Sequence, residues 1–231
     1  MSDWQRLREI VRIDSDWVRL IAERWLCDKG QELEYWRVEK VDSVIVLPLY
    51  RQQLLCVRPS FRPGIQRATL DFPGGRLPAG QQPLELAPLL LERELGVPPT
   101  ALQRTEPLNH APSVINSAFS NQGLWGIVAE IDPNHPLPAT HIGQRAPATV
   151  TGMRELLQAL DDLQCRAVLL EWARAQGGVP ADGTPTQSAP AQALGTWVRL
   201  RTLGAIGAPD SEVGCLIARH RLLHPGECPC G

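Results

Sequence analysis

No apolar run in this 231-residue chain approaches the roughly 20 residues that a membrane-spanning helix requires. The N-terminus, Met1-Ser-Asp-Trp-Gln-Arg6, lacks the apolar core of a signal peptide, so a cytoplasmic location is expected. Basic charge is not in excess either. The 23 Lys and Arg stand against 25 Asp and Glu, and a net charge of -2 leaves no electrostatic footprint for DNA or RNA. Mononucleotides pass that filter. The six cysteines form no disulfide framework: four are scattered and only Cys228 and Cys230 are close in sequence. In a reducing compartment they are expected as free thiols, mostly buried as small apolar side chains.

What is present suffices for one good core and a small appended unit, since 43% of the residues are apolar. Trp4, Leu7, Ile10 and Val11 keep helical spacing and predict a short helix within residues 1–16. Residues 18–27 and 32–38, rich in Val, Ile, Trp and Tyr, flank the turn Asp28-Lys-Gly-Gln31 and read as a hairpin. Residues 42–50 read as a central strand, followed by a turn at 51–53 and a strand at 54–58. A short strand is expected at 69–72 and another at 124–131. Residues 133–149 read as a proline-rich loop, and 151–160 and 162–175 as amphipathic helices. A further helix should run from about Pro83 to Gly96, a typical stop. Pro88 falls inside it, where it predicts a kink or a late start, because proline removes a backbone hydrogen bond. Strands, a helix, a strand and terminal helices suit an α+β sandwich with a mixed sheet.

Residues 72–97 carry the most specific signal. They open on Phe72-Pro-Gly-Gly-Arg76 and close on Leu91-Glu-Arg-Glu-Leu-Gly-Val97. The segment resembles the Nudix box, G-x5-E-x7-R-E-U-x-E-E-x-G-U with U aliphatic, the signature of hydrolases that split nucleoside diphosphates linked to another moiety. Gly75, Leu91, Glu94, Gly96 and Val97 fall on their positions without a gap. Four charged positions differ: Gln81 stands for the first glutamate, Leu89 for the arginine, Leu90 and Arg93 for two helix glutamates.

The resemblance implies magnesium, held by glutamates that share one helix face at spacings of three and four. Here that face reads Leu90, Arg93, Glu94. One carboxylate beside a guanidinium is a poor site for an ion that seeks near-octahedral oxygen ligands. Glu94 is the remaining candidate metal ligand and catalytic residue. The bland readings are that Leu89, Leu90 and Leu91 add core packing, that Arg93 is a helix-end cation favouring the C-terminal dipole, and that Glu94 is a structural acid. The sharper one makes Arg93 a fixed positive charge for a diphosphate, helped by Arg58, Arg62 or Arg76, since guanidinium matches phosphate geometry. Gly74, Gly75 and Gly80 shape the loop in either case.

Beyond the box, Val44-Ile-Val-Leu-Pro48 and Leu54-Leu-Cys-Val-Arg-Pro-Ser-Phe-Arg62 are similar to the ADP-ribose pyrophosphatase branch, with its arginine–aromatic–arginine segment. That likeness covers about residues 15–176. It implies a Nudix-type α/β/α sandwich with an N-terminal hairpin extension, a nucleoside diphosphate-linked small molecule as ligand, and a homodimer through the hairpin. It also places Gln122, within Ser117-Ala-Phe-Ser-Asn-Gln122, where the branch carries a glutamate that serves as metal ligand or base; an amide cannot be a general base near neutral pH. Trp17, Trp25 and Trp36 are expected in core or dimer packing.

The expected organisation is an N-terminal extension at 1–38, a Nudix domain at 39–176, and a linker with a loosely ordered tail at 177–231. In that tail Cys215, His220, His224, Cys228 and Cys230 follow none of the common zinc spacings. Two functions of different class stand: a hydrolase of nucleoside diphosphate sugars or similar compounds, and a non-catalytic nucleotide-binding or scaffold protein.

Overall fold

The computed structural model describes residues 4–176. The linker and tail readings, with Cys215, Cys228 and Cys230, lie outside the described residues. By compactness these residues divide into two units, 4–11 with 22–36, and 12–21 with 37–176.

The chain opens with three strands, β1 (Gln5–Asp14), β2 (Arg19–Leu26) and β3 (Glu32–Glu39), in a sheet of order β1-β2-β3. The helix expected within residues 1–16 is therefore a strand. Leu7, Val11 and Ile13 satisfy a period of two as well as Leu7, Ile10 and Val11 satisfy 3.6, and pairing to β2 decides between them. The β2–β3 turn is closed by Cys27 and Gln31, whose N–H and carbonyl meet at 2.9 Å, with Gly30 at φ 74°.

The second sheet is built on β4 (Ser43–Tyr50). Its neighbours are β5 (Gln53–Val57), β8 (Gly74–Arg76) and β11 (Gly123–Ile131), with β6 (Ser60–Arg62) and β7 (Arg67–Thr69) forming a separate hairpin between β5 and β8 in sequence. β4 runs parallel to β11 and antiparallel to β5 and β8, so the sheet is mixed. Three further strands complete it: β9 (Leu102–Pro107) and β10 (Ser113–Val114) on β11, and β12 (Ile142–Pro147) on β5. β12 lies in the stretch expected as loop. As an edge strand it buries only Ala146, so it has no apolar alternation to reveal it.

Pro48 sits in the middle of β4, where proline is normally excluded. Val46 N–H, two residues earlier, points to the β8 side and meets Pro73 O at 2.8 Å. β8 pairs only with Ser43–Ile45 and β5 begins opposite Leu49, so the missing N–H of Pro48 faces the gap between two partner strands.

The period of β4 assigns its two faces. Val44 and Val46 pack with Leu86, Leu90, Leu91 and Leu95 of α1 (Pro83–Leu95). Ile45 and Leu47 pack on the opposite side with Met153 and Leu156 of α2 (Val150–Ala159) and Val168, Leu169 and Trp172 of α3 (Leu163–Ala175). Helices thus cover both faces, an α/β/α sandwich. Thr149 and Asp162 cap α2 and α3 by accepting the N–H groups of Gly152 and Cys165.

α1 is continuous through Pro88 and stops at Gly96, whose φ of 67° is the left-handed cap. The late start does not occur. The carbonyl deprived of its partner is that of Leu84, a residue 41% exposed, so water can satisfy it. Glu85 steadies the start by accepting the Gln82 N–H at 3.3 Å.

Candidate functional site

A cleft of about 870 Å³ opens where β8, the start of β4, the β6–β7 hairpin and the start of α3 meet. Its floor near the box is set by close approach. β8 pairs with β4 in the register Ser43↔Arg76, Val44↔Gly75, Ile45↔Gly74. A Cβ on Gly75 would stand 2.7 Å from Leu90 Cδ2, and one on Gly74 would stand 3.1 Å from Val44 O. Glycine is thus favoured by close packing rather than by an unusual φ.

Arg93 and Glu94 grip the loop from the end of α1. Glu94 Oε2 accepts the Gly74 N–H at 3.1 Å, Arg93 Nη2 donates to the Gly74 carbonyl at 2.9 Å, and the two side chains pair with each other. Both polar groups of one peptide residue are held by two consecutive helix residues. Arg93 remains 60% exposed and Glu94 25% exposed.

Across the cleft, Arg62 Nε donates to Asp71 Oδ2 at 3.0 Å and Thr69 Oγ1 to the same oxygen at 2.8 Å. The Asp71 bond holds the Arg62 guanidinium firmly charged. Asp71 Oδ1 is buried without a partner. Two buried thiols stand in the field of that carboxylate. Burial, then Asp71, pushes Cys56 up to about 12, and burial raises Cys165 further although its Sγ accepts the Phe72 N–H. Both are free thiols, as is Cys27.

Of the residues singled out in the sequence, the cleft brings together Arg62, Gly74, Gly75, Arg76, Arg93 and Glu94. Leu90 lies beneath them, 1% exposed in the α1 core, and Leu91 is fully buried, whereas Leu89 is 52% exposed and adds no core packing. Trp17 is 70% exposed beneath the Arg76 guanidinium, so it is not core, and Trp36 is 43% exposed. Two expected site residues, Arg58 and Gln122, do not line the cleft, and neither does Gln81 at the position of the first glutamate. Gln81 is exposed, with its N–H on Pro78 O; Arg58 is exposed on the β12 side, with its N–H on His141 O at 3.0 Å; Gln122 is buried, with Nε2 on Ser43 Oγ at 2.8 Å. The cleft adds Lys40, Ser43, Arg67, Asp71 and Asp161, which no motif marks.

Magnesium does not fit this donor set. Glu94 is the one carboxylate on the box face, and both of its oxygens are engaged. Among the described residues no three His, Cys, Asp or Glu side chains are arranged to hold a metal ion. No helix among them is long and apolar enough to cross a membrane.

The sandwich, its mixed sheet and the glycine loop entering α1 define a Nudix-type fold. Among solved structures the chain is similar to an ADP compounds hydrolase, at 18% identity and a TM-score of 0.59, over 76% of this chain and 97% of that one. No protein-family model matches the sequence, and no curated protein does. At that identity the likeness speaks for the fold alone.

Proposed function

We propose that this Nudix-fold protein binds a nucleoside diphosphate-linked small molecule in the cleft without using divalent-metal hydrolysis. The observation that carries this reading is the grip of Arg93 and Glu94 on Gly74: the surviving box carboxylate is spent on its neighbour's guanidinium and a backbone N–H. Arg93 thereby serves as an internal cation that fastens the loop, in a place where the resemblance implies a metal. The size of the cleft supports a ligand of this class, since small-molecule sites run from about 300 to 1,000 Å³. The ADP compounds handled by the structural neighbour support it by analogy. Hydrolysis of the same compounds is the second reading, favoured by that neighbour's activity.

A second copy of the chain belongs to the same proposal. Leu7, Val11 and Ile13, which share one face of β1 with Glu9, are 42%, 36% and 56% exposed, apolar surface that another protomer would cover.

The test is a thermal-shift screen in EDTA and in magnesium with ADP-ribose, NADH, nucleotide sugars and dinucleoside polyphosphates, with release of the nucleoside phosphate product read in parallel. A ligand that raises the melting temperature equally in both buffers, with no release, is the expected result. Magnesium-dependent release would establish the hydrolase instead.

A further inference from the structure

Five cationic side chains face the cleft, and three of them are matched by acids that also line it: Arg62 by Asp71, Arg67 by Asp161 at 3.1 Å, and Arg93 by Glu94. Lys40 and Arg76 have no carboxylate partner among the described residues. Arg76 is positioned by neutral groups. Its Nη2 donates to Asp16 O at 2.9 Å, and its Cζ lies 4.7 Å from the centre of the Trp17 ring. Asp14, Asp16 and Glu39 line the adjoining recess with Lys40 and Arg76; Asp14 and Glu39 are taken by Arg19, Glu39 also by Arg37, and Asp16 forms an ion pair with neither Lys40 nor Arg76.

Ser43 lines the same end of the cleft and is the register partner of Arg76. Its hydroxyl oxygen accepts the Nε2–H of Gln122, which is 7% exposed. With that lone pair occupied by an amide donor, the hydroxyl proton is left to be given elsewhere.

We propose that Lys40, Ser43 and Arg76 form the subsite for the ligand's diphosphate, with Gln122 as the positioning residue that turns Ser43 into a donor. This rests on the reading of the cleft given above and moves the anion from the box helix to the β4–β8 ladder. An anion gains little from a guanidinium whose carboxylate partner stands beside it, because the two fields largely cancel. Arg76 and Lys40 offer uncancelled charge, and arginine adds a geometry suited to phosphate oxygens. A glutamate at 122 would accept from Ser43 and draw its proton away from the cleft.

The experiment is calorimetry in EDTA with ADP-ribose and with inorganic pyrophosphate, on the full chain. Lys40→Ala and Arg76→Ala each weaken both probes about tenfold or more, as loss of a charge-assisted hydrogen bond does. Gln122→Glu weakens them at a temperature where circular dichroism shows the variant folded, and Ser43→Thr retains binding that Ser43→Ala loses. Arg93→Ala stays within about threefold of the wild type, because its hydrogen bonds are internal. If Lys40→Ala and Arg76→Ala bind like the wild type while Arg62→Ala or Arg93→Ala does not, the anion lies on the box side: the subsite is overturned and the reading of the cleft survives. If the wild type binds neither probe, with or without magnesium, both are overturned.

Discussion

Arg93 reaches back from the last turn of α1 to the carbonyl of Gly74, 2.9 Å from its Nη2, while Glu94 beside it takes the N–H of the same residue at 3.1 Å. One peptide residue is thereby fixed on both sides, and the loop that leads into α1 is tied to the end of the helix it precedes.

The two contacts differ in cost. Arg93 is mostly exposed, so Arg93→Ala should lose about 1 kcal/mol, one ordinary hydrogen bond plus a screened ion pair. Glu94→Ala leaves a part-buried N–H unpaired and should lose about 1–3 kcal/mol, whereas Glu94→Gln retains an acceptor and most of that stability. Urea midpoints at constant slope measure the difference.

Gly75 and Leu90 form the tightest contact under the loop. Gly75→Ala should destabilise by about 1–3 kcal/mol through overpacking against Leu90 Cδ2. In the background of Leu90→Ala the same change should cost much less. A double-mutant cycle with no coupling would remove the packing account of this glycine.

Leu89 and Leu90 are neighbours with opposite fates. Leu90→Ala should cost about 2–5 kcal/mol and Leu90→Glu at least as much, because a carboxylate would enter a dry core. Leu89→Lys should change stability by no more than about 0.5 kcal/mol. Restoring a glutamate at position 90 therefore damages the fold before it can build a metal site.

Much of this was legible in the chain. The continuous apolar run Val44-Ile-Val-Leu47 announces a strand buried on both faces, and the glycine frame from Gly75 to Gly96 announces the loop and the helix between them. Arg93 on a ligand position announced a site short of carboxylates. The rest depends on partners distant in sequence. β1 was readable as a helix because Leu7, Ile10 and Val11 fit both periods, and only pairing to β2 separates them. Lys40 and Ser43 carry no spacing signal; β4–β8 register and the reach of Gln122, 79 residues beyond Ser43, give them their setting. Pro88 predicts a kink or a late start, but α1 begins at Pro83, and water can satisfy the Leu84 carbonyl at the exposed side of the helix.

The buried thiols give the protein an alkaline limit. Burial raises Cys56 from an ordinary value of 9.0 to about 12, so the folded state holds this proton more tightly than the unfolded chain. The stability this contributes is complete below pH about 9 and is lost as pH rises from there toward 12, at up to about 1.4 kcal/mol per pH unit for each such thiol. Cys165 adds in the same direction. Denaturation midpoints between pH 8 and 11 should fall more gently in Cys56→Ala than in the wild type; equal slopes would contradict the assignment.

The most direct test of a cleft that holds its ligand without a metal is a pair of calorimetric titrations with ADP-ribose, one in excess EDTA and one in excess magnesium. The account predicts the same affinity within about twofold in both, and no phosphate or ribose phosphate product after prolonged incubation. Binding that appears only with magnesium, or turnover that begins when magnesium is added, would contradict it.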